Sequence, residues 1–579
     1  MKKLHILMAV LSVQTLCAQA SIDELMQHCR KQFLVPGLSV GIVHKGEICH
    51  LMGYGLRDQA LNLPMTEHTI CPIGSPTKSF TAYLIGQMVD EGLLHWDDRV
   101  IDHLPQFQLS DPLLTQKITI RDLLQHTTNL PSHDGAWYRA TIDRHELLKR
   151  LCHLPLTNPL EKRFIYQNLN YLIAGLLLEE VTQRSWEELM YQQLLYPLGM
   201  YNTSCTFLDF NTHADRAQGY RKQRNRIVPC SPIDGHLIAP ACALNSSAWD
   251  LTRWIQHLLG DHQPLLNPST WKEMTQSGTP SNFFQNLSLG QLSPPWEEYG
   301  LGWMLLPYRN EKLVAHVGRM DGFTSLITLI PDKDLGIVVL CNKEHSFCPI
   351  FATTILIDQM LHLPPLDFSS LVAQAAVIDG NFPIPFPPRK KLETTPSHAL
   401  PDYCGIYEHP GYGIIAIVPG DDGRLHWQFR SAQAPLEHWH YDVFLLTTDD
   451  IHPLLRNTTF EFFANVHGDI TSVSVALDPH SEKILFKKCQ EETEDEVFTK
   501  FIGTYHVFGY SISVFEEMGH LMADIPGLTK VELTKKDKNT FSIKNYRDYH
   551  VEFVEDETLE VTGFQVYKSA EMIGSGSKT

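Results

Sequence analysis

A chain of 579 residues with 43% hydrophobic and 20% charged residues has a globular rather than a disordered balance, and it is long for one core, so two or three domains are expected. A formal net charge of −19 argues against nucleic acid as a partner, because phosphates draw basic patches; the acidity reads as a solubility feature.

The N-terminus carries Lys2 and Lys3, an apolar run over residues 4–16 too short to span a bilayer, and a small-x-small site at Ala18-Gln19-Ala20. It reads as a secretory signal peptide (1–20) cut after Ala20, which predicts a periplasmic or secreted protein. Cys17 follows Leu16, a bulkier side chain than a lipid-anchor site tolerates. No later segment reaches membrane-spanning length, and the apolar run at 171–178 reads as a buried helix. Of twelve cysteines, eleven remain after cleavage, with no C-x-x-C pair, which speaks against a zinc ribbon or a thioredoxin site; the odd count leaves at least one thiol outside any internal disulfide.

Residues 21–362 mix helical and strand patterns. Residues 363–400 are proline-rich around 382–388 and read as a linker, since proline removes donors and fixes the backbone. Beyond it lie short alternating segments, expected as a barrel-like β module at 401–490, a second β unit at 491–571 and a disordered tail at 572–579. An internal echo supports two related β units, as halves of one barrel or as two small barrels: Gly405-Ile406-Tyr407 precedes Gly411-Tyr412 as Gly503-Thr504-Tyr505 precedes Gly509-Tyr510.

Chemistry first appears at Gly74-Ser75-Pro76-Thr77-Lys78. Serine favours the N-cap and proline the first helical position; Phe80, Leu84, Met88 and Val89 follow at helical spacing, and Gly92 ends the run. Ser75 is therefore expected at a helix N-terminus, where unpaired N–H groups favour a developing oxyanion, with Lys78 one turn on. A serine hydroxyl is too weakly acidic to attack unaided, and an amine at that distance can take its proton. S-x-x-K alone is weak, since it recurs at Ser269, read as an ordinary helix start, and at Ser575, read as tail. A second element, Tyr166-Gln167-Asn168, stands before an apolar helical run; a phenol beside a cationic Lys78 would have a lowered pKa and serve as base, and the Asn168 amide would hold a substrate amide. A third, His316-Val317-Gly318, lies late in a strand of an antiparallel meander whose next turn is Pro331–Asp334, with Gly318 giving the backbone close access to a ligand and Arg319 offering a second oxyanion N–H from an edge strand.

Taken in this order, the elements resemble the serine beta-lactamase and penicillin-binding-protein superfamily, nearest its class C beta-lactamase and D-aminopeptidase/DD-peptidase branch. The resemblance includes Val35-Pro36-Gly37-Leu38, Gly53-Tyr54-Gly55, the segment from Ile118 to Thr128, and Gly322-Phe323. It implies an α+β fold, an antiparallel sheet flanked by helices with a helical subdomain, followed by an all-β lipocalin-like region. It also implies acylation of Ser75, proton transfer by Lys78 and Tyr166, substrate orientation by Asn168, a cleft wall carrying His316, and an oxyanion hole from the Ser75 and Arg319 N–H groups. No metal or organic cofactor is implied. Three positions depart from the usual pattern: His316 stands where many relatives have lysine, Arg319 where a small residue is usual, and Asn129 where glycine is frequent, a place asparagine tolerates. The substrate classes left open are a D-amino-acid peptide, a beta-lactam and an ester. The β region is expected, from the same resemblance, to restrict substrate size.

Two other readings stand beside this one. His438-Trp439-His440 would place two imidazoles on one strand face as in a metallohydrolase, although no H-E-x-x-H occurs. A catalytically weak penicillin- or peptidoglycan-binding protein of the same fold is the other.

Overall fold

The computed structural model describes residues 21–578 apart from 158–161, 224–225, 261–264, 284–291, 365, 368–369, 373–374, 376–378, 380–388, 392, 447–456, 478–480, 490–497, 499, 508–509, 518–519, 526–529, 538, 545, 547–548, 557–559 and 569–570. The expected signal peptide, the proline run at 382–388 and Gly509 lie outside the described residues.

Nine antiparallel strands form the central sheet, in the order Leu63–Pro64, Glu47–Asp58, Gly37–His44, Leu335–Cys341, Phe323–Ile330, Glu311–Met320, Met304–Tyr308, Glu298–Tyr299 and Thr279–Pro280. Its central strands are apolar at almost every position because both faces are covered. On Leu335–Cys341, Val338 and Leu340 join the core shared with the helix Ala248–Leu259, while Ile337, Val339 and Cys341 face a second core with the helices Ile22–Gln32 and Cys348–Met360. The period of two thus splits one strand between two cores. The expected meander is present, with Asp334 left-handed (φ 47°) after the Pro331–Lys333 turn. The apolar run expected as a buried helix lies inside Leu169–Thr182, whose residues through Leu178 are buried.

Residues up to Lys488 form one compact unit and Cys489–Thr579 another. The first includes a closed barrel of eight strands, Gly405–His409 through Ile484–Lys488; the second is a closed barrel of eight strands, Gly503–Val507 through Glu571–Lys578. Of the two arrangements the sequence echo allowed, the structure has two barrels. Their openings match in detail. Tyr407 donates to the Tyr403 carbonyl and Tyr505 to the Phe501 carbonyl, both at 2.7 Å. Each barrel closes with a lysine, Lys488 or Lys578, whose Nζ sits 5.8 Å from the centre of that tyrosine ring.

Two expectations are corrected here. The Gly/Ser-rich end is not a free tail but the closing strand Glu571–Lys578, paired with both Val561–Lys568 and Gly503–Val507. Its composition serves packing: a Cβ on Gly576 would lie 2.6 Å from the His506 carbonyl oxygen. The segment 363–400 is not wholly a spacer either. Leu371, Val372 and Ala375 are buried in the second core, and Asp379 is buried, pairs with Lys343 and accepts from the Phe347 N–H at 2.7 Å. The eleven described cysteines are thiols, with the Cys29 and Cys348 sulfurs 3.7 Å apart.

Candidate active site

The nucleophile segment enters from a short strand, Cys71–Pro72, turns at Gly74 (φ +63°), and starts a helix at Thr77–Asp90 with Pro76 as its cap residue. Ser75 therefore precedes the helix by one position more than the sequence suggests. The cap bond expected of it is absent, because the Thr77, Lys78 and Ser79 N–H groups donate to the Gly74, Ser75 and Pro76 carbonyls at 3.0, 2.8 and 3.0 Å. That leaves the half-buried Ser75 hydroxyl for Lys78, whose Nζ is 3.2 Å from Oγ.

Lys78 is fully buried. Its Nζ also donates to Asn168 Oδ1 at 2.8 Å and to the Ala241 carbonyl at 3.1 Å. Burial is the dominant influence on the amine and pushes its pKa down to about 7, against the opposing pull of Cys242 and Asp134. A neutral amine has two N–H groups and one lone pair. The two fixed acceptors take the N–H groups, and the lone pair is left toward Ser75.

Tyr166, from the loop at 162–167, hydrogen-bonds with Ser75, and its ring centre lies 4.9 Å from Lys78 Nζ. The lowered phenol pKa expected from a cationic neighbour does not occur. Burial pushes Tyr166 above its ordinary range, the contacts with Ser75 and Arg319 only soften this, and the amine meant to lower it is itself partly discharged. Burial thus leaves the Lys78 amine partly neutral near pH 7 and keeps the Tyr166 phenol protonated.

Asn168 is already engaged in part by the protein. Its Oδ1 accepts from Lys78 and its Nδ2 donates to Asp134 Oδ1 at 3.2 Å. It caps no helix with its side chain. It is a strut between the lysine and Asp134, which also accepts from Trp137 Nε1 at 2.9 Å.

His316 does not line an open wall. Its ring is fully buried; Nδ1 donates to the Val317 carbonyl at 2.9 Å, and Nε2, left as acceptor, takes the Tyr299 hydroxyl at 2.8 Å. Burial, with Lys78 nearby, holds its pKa down at about 3, so it is a neutral support behind Tyr166, ring centres 6.3 Å apart. The strand Glu311–Met320 is interior to the sheet rather than an edge. Its pairing with Met304–Tyr308 stops at Ala315, so the stretch from His316 on has one open side. Gly318 makes room for protein rather than ligand: a Cβ there would meet the Ile73 carbonyl oxygen at 1.9 Å and the Pro76 ring at 2.7 Å. The Arg319 backbone in turn lies about 3 Å from where a Cβ on Gly74 would stand, which brings it beside Ser75. The Arg319 side chain is half-buried, its Cζ 5.6 Å from the Phe283 ring, and it meets no carboxylate among the described residues.

Three residues of this site carried no role in the sequence reading. Asp134 sits on the short turn Asp134–Trp137, which has no motif of its own. His133, left-handed at φ 42° and buried, donates from Nε2 to the Pro155 carbonyl at 2.8 Å and accepts at Nδ1 from Tyr412 of the first barrel at 2.7 Å. His126 is fully buried with its ring centre 4.5 Å from that of Tyr166; Nδ1 accepts weakly from the Gln167 N–H at 3.4 Å. Its signal lay inside the Ile118–Thr128 stretch. Asn129 adopts the left-handed conformation expected of it (φ 59°). Of the competing serines, Ser269 lies in the first turn of an ordinary helix, Pro268–Gln276, and Ser575 in the closing barrel strand. His438 donates to the Tyr441 carbonyl at 2.9 Å, beside a register shift between His438 and His440.

Residues 22–356 match the family described as Beta-lactamase. The chain belongs to that family. Residues 389–488, which span the first barrel, match a domain of unknown function, DUF3471. The chain is 30% identical to Protein flp of Staphylococcus aureus (strain NCTC 8325 / PS 47) over 336 residues, 57% of this chain and 64% of that protein, so it spans less than two thirds of that relative. It is 28% identical to the unguisins hydrolase ungD of Aspergillus violaceofuscus (strain CBS 115571) over 502 residues, 78% of this chain and 86% of that one. Among solved structures it is similar in fold to the octameric penicillin-binding protein homologue from Pyrococcus abyssi, with a TM-score of 0.54, 24% identity, and coverage of 80% of this chain and 99% of that one.

Proposed function

We propose that the protein is a serine hydrolase that cleaves an amide or ester bond through an acyl-enzyme on Ser75. The observation that carries this is the buried Lys78 amine 3.2 Å from Ser75 Oγ, with its N–H groups committed to Asn168 and Ala241. In this reading the lone pair of neutral Lys78 takes the Ser75 proton as Oγ attacks the carbonyl carbon. The Ser75 and Arg319 N–H groups steady the oxyanion. Tyr166 gives its proton to the leaving nitrogen or oxygen and regains one from Lys78, and water then releases the acyl group by the reverse relay.

The substrate is a small molecule or peptide with an amide, lactam or ester bond. With His316 neutral and turned inward, the cation available to a substrate carboxylate is Arg319. Acyl donors bearing a carboxylate close to the scissile bond, such as a peptide C-terminus or a bicyclic lactam acid, are therefore favoured over neutral ones. The apolar run at 4–16 and the Ala18-Gln19-Ala20 site support an exported enzyme acting in the periplasm or outside the cell; no helix among the described residues is long and apolar enough to cross a membrane.

Hydrolysis of p-nitrophenyl acetate by the mature chain tests the reaction. Ser75→Ala is expected to lower turnover on the order of 10³-fold or more with the fold intact; equal rates for the two proteins would sink the acyl-enzyme reading. Because the amine must be neutral, kcat/KM is expected to rise with pH through a midpoint near 7 and to fall as the ammonium forms below it. Arg319→Ala is expected to raise KM roughly tenfold for a carboxylate-bearing substrate and to leave its neutral ester analogue unchanged.

A further inference from the structure

The two barrels agree in register from strand to strand, so their inward positions can be compared one by one. Gly405, Ile417 and Trp427 lie abreast in the first barrel as Gly503, Val514 and Ala523 do in the second. Carried around the barrel, the same pairing sets Phe444 beside Phe460 where the second has Phe541 beside Val551. It also sets Ile484 and Phe486 where the second has Gly574 and Gly576.

The first barrel is filled at these places. Trp427, Phe460 and Phe486 are buried, with the Trp427 and Phe460 rings 6.0 Å apart. Val514, Ala523 and Val551 leave the second one hollow. Phe553 and Phe564 close one end, and above them lies an almost wholly apolar cavity of about 370 Å³. That is a ligand's volume, not a packing defect. Roughly twelve methylenes fill it if each takes about the 30 Å³ of a liquid water.

A charge stands beside the lining. On Val561–Lys568 the cavity-lining row Phe564, Val566 continues to Lys568, which pairs with the cavity-lining Tyr549 and holds its ammonium 5.7 Å from that ring. An apolar interior with a cation beside its lining Tyr549 is complementary to an amphiphilic anion.

We propose that the second barrel is a binding site for an aliphatic monocarboxylate, with the chain inside and the carboxylate at Lys568. This site is separate from Ser75 and does not rest on the hydrolase reading.

The test is calorimetric titration of the mature full-length chain with dodecanoate. Saturable binding at one site per chain is expected. Ala523→Trp and Val551→Phe, which install the first barrel's side chains, are each expected to weaken it at least about tenfold with p-nitrophenyl acetate turnover and circular dichroism unchanged. Lys568→Met is expected to weaken dodecanoate roughly fivefold or more and to leave dodecanol binding as it was. Absence of saturable binding to the unaltered chain overturns the proposal. So does undiminished binding in whichever of the two filled variants folds. Equal behaviour of dodecanoate and dodecanol with Lys568→Met overturns the carboxylate assignment.

Discussion

In the first barrel Trp427 and Phe460 pack ring against ring, and the same two register positions in the second hold Ala523 and Val551. The first barrel's core is continuous with that of the helical subdomain, while the second has a core of its own. A barrel of eight strands is just wide enough to be filled by side chains or to keep a small lumen, and a few substitutions decide between the two. A filled barrel is stiff and suited to be a wall. Here it leans on the turn that carries Asp134: Tyr412 bonds His133, and Arg430 donates to the Tyr138 carbonyl and, at 2.8 Å, to the Ala136 carbonyl.

The comparison is broken most directly by emptying the filled barrel. Trp427→Ala is expected to cost about 3–5 kcal/mol of unfolding free energy in urea, the usual cost of deleting a buried tryptophan. Val551→Ala in the hollow barrel removes two methyl groups that already face a void and is expected to cost only about 1 kcal/mol. If Trp427→Ala cost no more than Val551→Ala, the filled and hollow descriptions would have no energetic content.

The next effect tests whether the wall reaches the chemistry. Arg430→Ala leaves two buried carbonyls without their donor, at a cost of about 1.5–3 kcal/mol. Through the turn at Asp134 it is expected to lower kcat by about tenfold with KM little changed. A variant that lost stability but kept kcat would confine the barrel to a structural role. Asp134→Asn isolates the electrostatic part. Asp134 raises the Lys78 pKa, so its neutralisation is expected to move the midpoint of the kcat/KM profile below pH 7. Tyr412→Phe removes one neutral hydrogen bond and is expected to cost about 1 kcal/mol.

Much of the catalytic half was legible because it rests on local chemistry: a helix start at Ser75, a spacing to Lys78, strands that alternate. The roles of the partners were less so, because they depend on burial, which a sequence shows poorly. Tyr166 does not gain the lowered pKa expected beside Lys78 once both are desolvated. His316 becomes a support because Tyr299 takes its second nitrogen. Asp134 was invisible, since what makes it important is its distance from Asn168 across 34 residues. The closing strand was misread for a related reason: Gly574 and Gly576 look like a flexible tail until the strand pairing is seen and a neighbouring strand shows how little room Gly576 has.

The smallest expected effect separates the two barrels most cleanly. The side chains named above for the Ser75 site, and Tyr412 and Arg430 of the first barrel, lie before Cys489, where the second compact unit begins. Val514, Ala523 and Val551, which make the second barrel hollow, all lie after it. A chain ending at Lys488 is therefore expected to retain p-nitrophenyl acetate turnover within about twofold, the range of surface changes of roughly 0.5 kcal/mol, and to keep the pH midpoint near 7. The same chain is expected to bind no dodecanoate. Loss of turnover on this truncation, with the remaining unit still folded by circular dichroism, would show that the hollow barrel also serves catalysis, and the division between a wall and a binding module would then have to be given up.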